Sequence, residues 1–405
     1  MSVAAATLDD TIRLMSQRTV TRLALVGAGN IARAHAAAAA SLPDAVELVA
    51  VVDTRREAAE ALAEASGAAA FGSVEEMLAA LGGTPAGVPD AAVVCTPPSA
   101  RVEAARRLLA AGCSLLLEKP LAHTVADAEA LVRLADAYPA AVAVTGFCHR
   151  FTPAVGAMIG LVAEGRIGEV VRCENTFAAD LPHLRGHWMS DSAVAGGGSL
   201  IDTGLHSLDL FAYLFGPATV EGAVFRCGWE GRSESNATVL LRAGGAHAAA
   251  AAGGARIETV YPVAGVVACG WAENSRFDLR LVGTAGSLLY DFEKPEAVFL
   301  TTPAGTETLA VETHEVRFDR QLAAFAARVA GGPGDAPLCG FAGGLEALRR
   351  VAEAAMLDAA SRPEAPASAP ASAPASTPAP LRNGNGNGVH LAATAASEAF
   401  AEAGR

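Results

Sequence analysis

The sequence predicts two units in one chain: an α/β doubly wound parallel sheet over residues 21–150, then an α+β unit with a mostly antiparallel, open sheet over residues 151–362. Three observations carry that expectation. Short apolar runs alternate with longer helical stretches through the first unit, and a glycine-rich turn stands between its first run and first helix. After Gly168 the texture changes to longer runs separated by turns, with helices expected only at 196–215, 317–330 and 341–360.

The first run, Leu23-Ala24-Leu25-Val26, passes into Gly27-Ala28-Gly29-Asn30-Ile31-Ala32 and then an alanine-rich helix. A G-x-G-x-x-A turn between strand and helix is what dinucleotide binding requires. Gly27 permits the tight turn, Gly29 lets a pyrophosphate approach the backbone, and Ala32 lets helix and strand pack closely. The helix start at Asn30 and Ile31 offers free N–H groups to phosphates. The second run, Leu48 to Val52, is closed by Asp53, where a carboxylate can accept from an adenosine ribose; a helix cap is the plainer alternative. A carboxylate repels a 2′-phosphate, so Asp53 favours NAD, while Arg55 and Arg56 just beyond leave room for NADP.

The third run, Ala91 to Cys95, ends in Thr96-Pro97-Pro98, whose prolines hold a loop rigidly at the carboxyl edge of the sheet. The fourth, Ser114 to Leu117, ends in Glu118-Lys119-Pro120, which reads either as part of the same site or as a solvated loop cation. The fifth is Ala141 to Val144, and the first unit closes near Phe147 to Phe151. Continuous apolar runs of this kind suit strands buried on both faces.

In the second unit, strands are expected within Glu169 to Ala179, Val220 to Cys227, Thr238 to Leu241, Phe277 to Val282 and Ser287 to Tyr290. Its chemical motif begins at Gly196-Gly197-Gly198, a flexible approach to a helix on which Asp202, His206 and Asp209 share one face. A solvated stripe would more often carry Lys, Glu and Arg. Metal binding by these three is a competing reading, but no further ligand of recognisable spacing stands nearby, and no metal is expected. His183, Arg185 and His187 can read a phosphate on a substrate or form a solvated loop.

Composition removes whole classes of function. Thirty Lys+Arg stand against 43 Asp+Glu, a formal net charge of −13, with 52% hydrophobic and 5% aromatic residues. An acidic chain without a basic run is a poor binder of nucleic acid or anionic membrane. No apolar stretch approaches the ~20 residues of a membrane span, and the apolar fraction is too high for global disorder. Seven cysteines without a C-x-x-C pair indicate neither a disulfide framework nor a structural zinc site. With no basic, apolar leader at the N-terminus, the expected address is cytoplasmic. Residues 1–20 read as a loosely held extension, and residues 363–405, an Ala-Pro-Ala-Ser repeat followed by an Asn-Gly run, as a disordered tail.

Taken in order, G-x-G-x-x-A, the strand-terminal Asp, T-P-P, E-K-P and G-G-G-x-x-x-D-x-G-x-H-x-x-D resemble the glucose–fructose oxidoreductase, inositol dehydrogenase and MocA (Gfo/Idh/MocA) family. The resemblance covers roughly residues 21–360, because Gly283-Thr284-Ala285-Gly286-Ser287-Leu288 and Phe318-Asp319-Arg320-Gln321-Leu322 also resemble that family's late segments. It implies an N-terminal Rossmann domain and a C-terminal domain whose open sheet joins a homodimer or homotetramer. It also implies NAD(P)-dependent oxidation or reduction of a sugar, sugar derivative or cyclitol. Lys119 matches the family's E-K-P lysine, Asp202 its helix aspartate and His206 its histidine. Two positions depart: Arg101 stands where T-P-x-x-x-H members often carry histidine, and Met189 follows Trp188 where many have arginine. Cofactor contacts are expected from Gly27, Gly29, Asn30, Ile31, Asp53, Thr96, Pro97, Glu118 and Lys119.

Removing hydride from a secondary alcohol carbon leaves a hydroxyl proton for a base. His206 is expected to take it at a pKa near neutrality, Asp202 to hold the imidazole, and Lys119 to donate to the developing alkoxide. The alternative is an NAD-dependent glycoside hydrolase that oxidises a ring carbon transiently and eliminates, with no net redox change.

Overall fold

A computed structural model describes residues 20–84, 87–227, 233–244 and 256–362. The expected extension, apart from Val20, and the expected tail lie outside the described residues.

The first unit alternates strand and helix. Its strands are β1 (Thr21–Val26), β2 (Val46–Val52), β3 (Ala69–Phe71), β4 (Ala91–Val94), β5 (Ser114–Glu118) and β6 (Ala143–Gly146). Its helices are α1 (Asn30–Ser41), α2 (Arg56–Ser66), α3 (Val74–Gly82), α4 (Arg101–Ala110) and α5 (Val125–Asp136). The five runs singled out in the sequence all become strands, and only the three-residue β3 carried too little apolar sequence to stand out. The sheet order is β3-β2-β1-β4-β5-β6, all parallel, which puts the reversal of strand order between β1 and β4. Ligands of doubly wound sheets bind outside the carboxyl ends of the strands at such a reversal.

After α6 (Pro153–Ala163) the chain builds a second sheet from β7 (Val170–Asp180), β8 (Ala218–Arg226), β9 (Asn236–Gly244), β10 (Pro262–Gly270), β11 (Ala272–Gly283), β12 (Ser287–Asp291), β13 (Ala297–Thr302) and β14 (Gly305–Ala310). Between β7 and β8 lie the short helix α7 (Ser192–Ala195), a π-helical turn (Leu200–Gly204) and α8 (Leu205–Phe215). The order is β14-β13-β12-β11-β7-β10-β9-β8, antiparallel throughout except where β10 runs parallel to β7. Along β9, Ala237, Val239, Leu241 and Ala243 are buried while Thr238, Leu240 and Arg242 face outward, the alternation of a sheet with one covered face. Val171, Val224 and Leu240 leave 44%, 70% and 49% of their surface exposed on that open side.

The last segments return to the first unit. After α9 (Arg317–Val329), β15 (Cys339–Gly340) pairs antiparallel with β6 and becomes the seventh strand of the first sheet, followed by α10 (Phe341–Ser361). Leu322 and Phe325 of α9 share one buried apolar cluster with Leu23, Leu25 and Ala36. The first sheet is therefore finished by residues almost at the end of the described chain.

Candidate active site

Gly27 follows β1 with a φ of +99°, and its N–H donates to the Val52 carbonyl at 2.7 Å. A Cβ there would lie 3.0 Å from the Cys95 carbonyl carbon and 3.1 Å from the Thr96 nitrogen, so the loops after β1 and β4 nearly touch where strand order reverses. Only glycine suits both that conformation and that approach. Gly29 caps α1 without a side-chain hydrogen bond, a Cβ on it would meet nothing within 4 Å, and the first turn, starting with the half-buried Asn30 and Ile31, carries no acidic residue. The helix thus turns free N–H groups and the positive end of its dipole toward open space. Ala32, fully buried, lets α1 lie close on the sheet.

Asp53 shapes the same loop. Its Oδ2 accepts from the Ala28 N–H and its Oδ1 from the Arg55 N–H, each at 2.8 Å, and the side chain is 13% exposed. A carboxylate offers about four lone-pair positions, so two remain for ribose hydroxyls. Arg56 is occupied by Glu60 and Glu76 at 3.2 Å, whereas Arg55 keeps 71% of its side chain exposed. These residues fit a dinucleotide: its pyrophosphate would meet the start of α1, and its adenosine ribose would meet Asp53.

The next two loops are stapled by Arg101. Its buried guanidinium donates to the Thr96 carbonyl from Nε at 3.0 Å and from Nη2 at 2.9 Å, and from Nη1 to the carbonyls of Glu118 and Pro120. Burial lowers its pKa to about 10, so the cation persists through neutrality. The residue that the sequence marked as a departure thus sets the spacing of T-P-P and E-K-P. Pro97 is exposed, and Thr96 Oγ1 is buried without a partner. Glu118 turns away from the position expected of it. Its Oε1 meets Nε2 of buried His35 on α1 at 2.8 Å, and its Oε2 accepts from the Lys119 N–H at 3.1 Å. Burial pushes its pKa up, but the His35 hydrogen bond and nearby cations outweigh this and hold it below the usual range. Glu118 braces the loop, and its carboxylate is spent inside the unit.

Lys119 reaches across to the second unit. Its Nζ donates to Oδ1 and to the main-chain carbonyl of Asp202, both at 2.9 Å, while Trp271 Nε1, from the junction of β10 and β11, donates to Asp202 Oδ2 at 3.1 Å. The sequence placed Asp202 on one α-helical face with His206, but residues 200–204 form a π turn, in which bonding runs from i to i+5. The wider turn rotates Asp202 toward Lys119 and Trp271, both its carboxylate oxygens are taken there, and the expected support of the His206 ring is not formed.

Nor is the glycine run a flexible approach. A Cβ on Gly196 would fall 2.3 Å from the His123 carbonyl oxygen, and one on Gly198 would fall 2.0 Å from that of Glu234. The buried Glu234 carboxylate accepts from the N–H groups of Gly198 and Leu200 at 3.0 and 2.9 Å, capping the start of the turn. The run is glycine because main chain packs on main chain.

His206 lies at the start of α8, buried, with its Nδ1 unpartnered. Burial, then the charge of His149 and those of Lys119 and Arg317, push its pKa well below the ordinary imidazole value. The imidazole is therefore neutral in the physiological range, where the sequence led us to expect titration. Asp209, on the same helix, is committed to Arg150, with bonds of 2.8 and 2.6 Å. The Asp202, His206 and Asp209 set is thus not gathered for a metal. Among the described residues, Cys148, His149 and His206 bring ligand atoms within 4.8 Å of one another, but the two imidazoles lie nearly parallel, 15° apart, and do not converge on one point. Of the upstream loop, Leu181 and Leu184 pack on Trp271 beside Asp202, and Trp188 is 41% exposed. His187 is held below its ordinary pKa by burial and by His183. Sequence reasoning missed Trp271, His149 and Arg317; no spacing rule links Trp271 to an aspartate 69 residues earlier.

A doubly wound sheet with an open helix N-terminus at its switch point, and a lysine at the same sheet's edge bonded to the second unit near a buried histidine, defines a two-unit dinucleotide-binding protein. Residues 21–145 match the family model described as "Oxidoreductase family, NAD-binding Rossmann fold", and residues 156–289 match that of the GFO/IDH/MocA C-terminal domain. The chain belongs to the Gfo/Idh/MocA oxidoreductase family. It is 33% identical over 201 residues to D-glucoside 3-dehydrogenase of Escherichia coli, a match covering 48% of this chain and 54% of that protein. It is 28% identical over 197 residues to glucose-6-phosphate 3-dehydrogenase of Bacillus subtilis, covering 48% and 53%. The chain spans about half the length of the curated relatives it matches. Among solved structures, an inositol dehydrogenase homolog from Azotobacter vinelandii complexed with NAD+ aligns with a TM-score of 0.71 at 20% identity, over 85% of this chain and 96% of that one. A 3-ketoreductase from Actinomadura kijaniata in complex with TDP-benzene and NADP aligns at 0.67 and 20%, over 84% and 98%.

Proposed function

We propose that the protein is an NAD-dependent dehydrogenase or ketoreductase that transfers hydride between nicotinamide and a secondary alcohol carbon of a sugar, sugar derivative or cyclitol. The observation that carries this reading is Lys119 Nζ, fixed at 2.9 Å on Asp202 beside a buried, neutral His206, at the carboxyl edge of a sheet whose glycine loop fits a dinucleotide. The relatives, a D-glucoside and a glucose-6-phosphate 3-dehydrogenase, support the substrate class.

Bound along Gly27, Gly29, Asn30, Ile31, Asp53, Thr96 and Pro97, NAD supplies the hydride acceptor in oxidation and the donor in reduction. Asp202, itself fixed by Trp271, holds Lys119 through two of its three ammonium hydrogens, and the one left over donates to the reacting oxygen and stabilises alkoxide character. His206 takes the hydroxyl proton in oxidation and returns it in reduction. Asp53 disfavours a 2′-phosphate and so makes NAD the preferred cofactor.

A division into a cofactor unit over 21–150 and a substrate unit over 151–362 follows this chemistry, with α9 and β15 packed back on the first. The open, partly apolar face of the second sheet is the surface we assign to homo-oligomer formation, and a cytoplasmic address suits the unpaired cysteines. Among the described residues no helix is long and apolar enough to cross a membrane.

The test is a screen with NAD and NADP across free sugars, sugar phosphates, nucleotide sugars and aminocyclitols, reading nicotinamide absorbance. Stoichiometric NADH with one of these is expected, and it should be lost in Lys119→Ala. Glycoside cleavage without net NADH would replace this reading with the transient-oxidation route.

A further inference from the structure

Two imidazoles lie face to face beside the Lys119–Asp202 contact. His149, in the 3-10 turn Cys148–Phe151 after β6, stacks on His206 with ring centroids 4.0 Å apart, and both residues are only 7% exposed. Phe177 of β7, Phe277 of β11 and Phe292 crowd the His149 ring at 5.8, 5.3 and 5.8 Å. These walls carry no acceptor for a proton.

The charged and titratable groups around the pair offer it no anion. Lys119 at the end of β5 and Arg317 at the start of α9 bring positive charge, and His314 lies in the turn before α9, with Nδ1 at 3.1 Å from the Tyr290 hydroxyl. The neighbouring Cys148 thiol is pushed up to about 11 by burial and is neutral. Of the carboxylates on the turn and helix that carry His206, Asp202 is held by Lys119 and Trp271 and Asp209 by Arg150. Glu118 is turned to His35.

We propose that His149 is a positioning residue for His206 and that the stacked pair acts as one unit, taking up a single proton and never two. A charge on one ring, 4.0 Å from the other in a water-poor setting, repels a second proton strongly. His149 thereby keeps His206 in the neutral form that can accept the substrate proton, and its face fixes the plane of the His206 ring. The inference rests on the dehydrogenase reading for its meaning, because His206 matters there as the proton acceptor.

The experiment follows the ring protons of the histidines by NMR in the full-length protein over roughly pH 4–9, assigning His149 and His206 by loss of signals in His149→Phe and His206→Gln. In the wild type only one of the two rings should begin to take up a proton, on the acid side of the ordinary imidazole value, and the other should stay neutral until the protein unfolds. In His149→Phe, which keeps a flat ring and removes the charge, the His206 midpoint should rise by about 0.5–1 pH unit, and the acid limb of kcat/KM should move with it. An unmoved midpoint, or a rate lowered equally at every pH, would make His149 a packing residue and overturn the proposal. Should His149→Phe not fold, the wild-type titration still decides: two rings titrating independently near the ordinary value would overturn it. The NMR measurement needs neither cofactor nor substrate, so failure of the dehydrogenase reading would show separately, as absent turnover.

Discussion

Asp53 and His206 carry the sharpest expectations for single residues. The Asp53 carboxylate ties down the glycine loop through Ala28 and has lone pairs left, which the proposed function gives to a ribose. Asp53→Ser should therefore weaken NAD binding and shift the NAD to NADP preference toward NADP, with exposed Arg55 available to the added phosphate and Arg56 still held by Glu60 and Glu76. Kd values for both cofactors by fluorescence quenching check this, and an unchanged ratio would remove Asp53 from cofactor choice. For His206 the sign follows from its environment. The proposed base would work as the neutral ring, and burial and neighbouring charge depress its pKa, so oxidation should be flat through neutrality and fall only as pH drops through that depressed value. His206→Ala should lower turnover by ~10²–10⁴-fold and abolish that acid limb, leaving NAD affinity close to wild type. A limb that survived would make Lys119 or a water chain the proton acceptor.

Whole elements were legible in the sequence wherever a repeating pattern decided them. The five buried runs of the first sheet stand out as unbroken apolar stretches because both their faces are covered, and Gly27 is called for by the left-handed backbone of a local turn before any distant contact is considered. What was not legible depended on partners distant in sequence. The π turn at Leu200–Gly204 changes the neighbours of Asp202, yet its cause is the meeting with Glu234, Lys119 and Trp271. A run of three glycines looks the same in sequence whether it is slack or pressed against distant main chain. β10 was not among the strands expected in the second unit, and its parallel pairing with β7 was hidden as well, since apolar patterning carries no strand direction. The packed reading of the glycines is testable: Gly198→Ala places a methyl 2.0 Å from the Glu234 carbonyl and should destabilise the fold by about 1–3 kcal/mol, as overpacking does. Urea unfolding of Gly198→Ala beside the wild type checks it, and a neutral result would mean that the segment yields.

At the scale of the molecule, the buried neutral imidazoles make stability depend on pH. The unfolded chain protonates histidine near pH 6.5, whereas His149 and His206 are held well below that value by burial and nearby charge, and His314 is lowered to about 4. Stability is thus intact above pH 6.5 and declines below it, because the unfolded state binds protons that the folded state refuses. Each fully buried ring contributes a slope of about 1.4 kcal/mol per pH unit. Urea midpoints should fall between pH 7 and 5, and the fall should be smaller in His149→Phe. A midpoint constant across that interval would contradict the buried neutral pair.

The return of β15 to the edge of the first sheet has a consequence for biosynthesis. β6 leaves the ribosome about 190 residues before its antiparallel neighbour, an interval of roughly 10–40 s at ordinary elongation rates. For that time the nascent sheet ends on an unpaired strand, and the apolar surface that Leu322 and Phe325 will cover stays bare. The cofactor half is translated first and completed last, so the growing chain offers a sticky sheet edge to chaperones, or to neighbouring nascent chains, through most of the making of its second half.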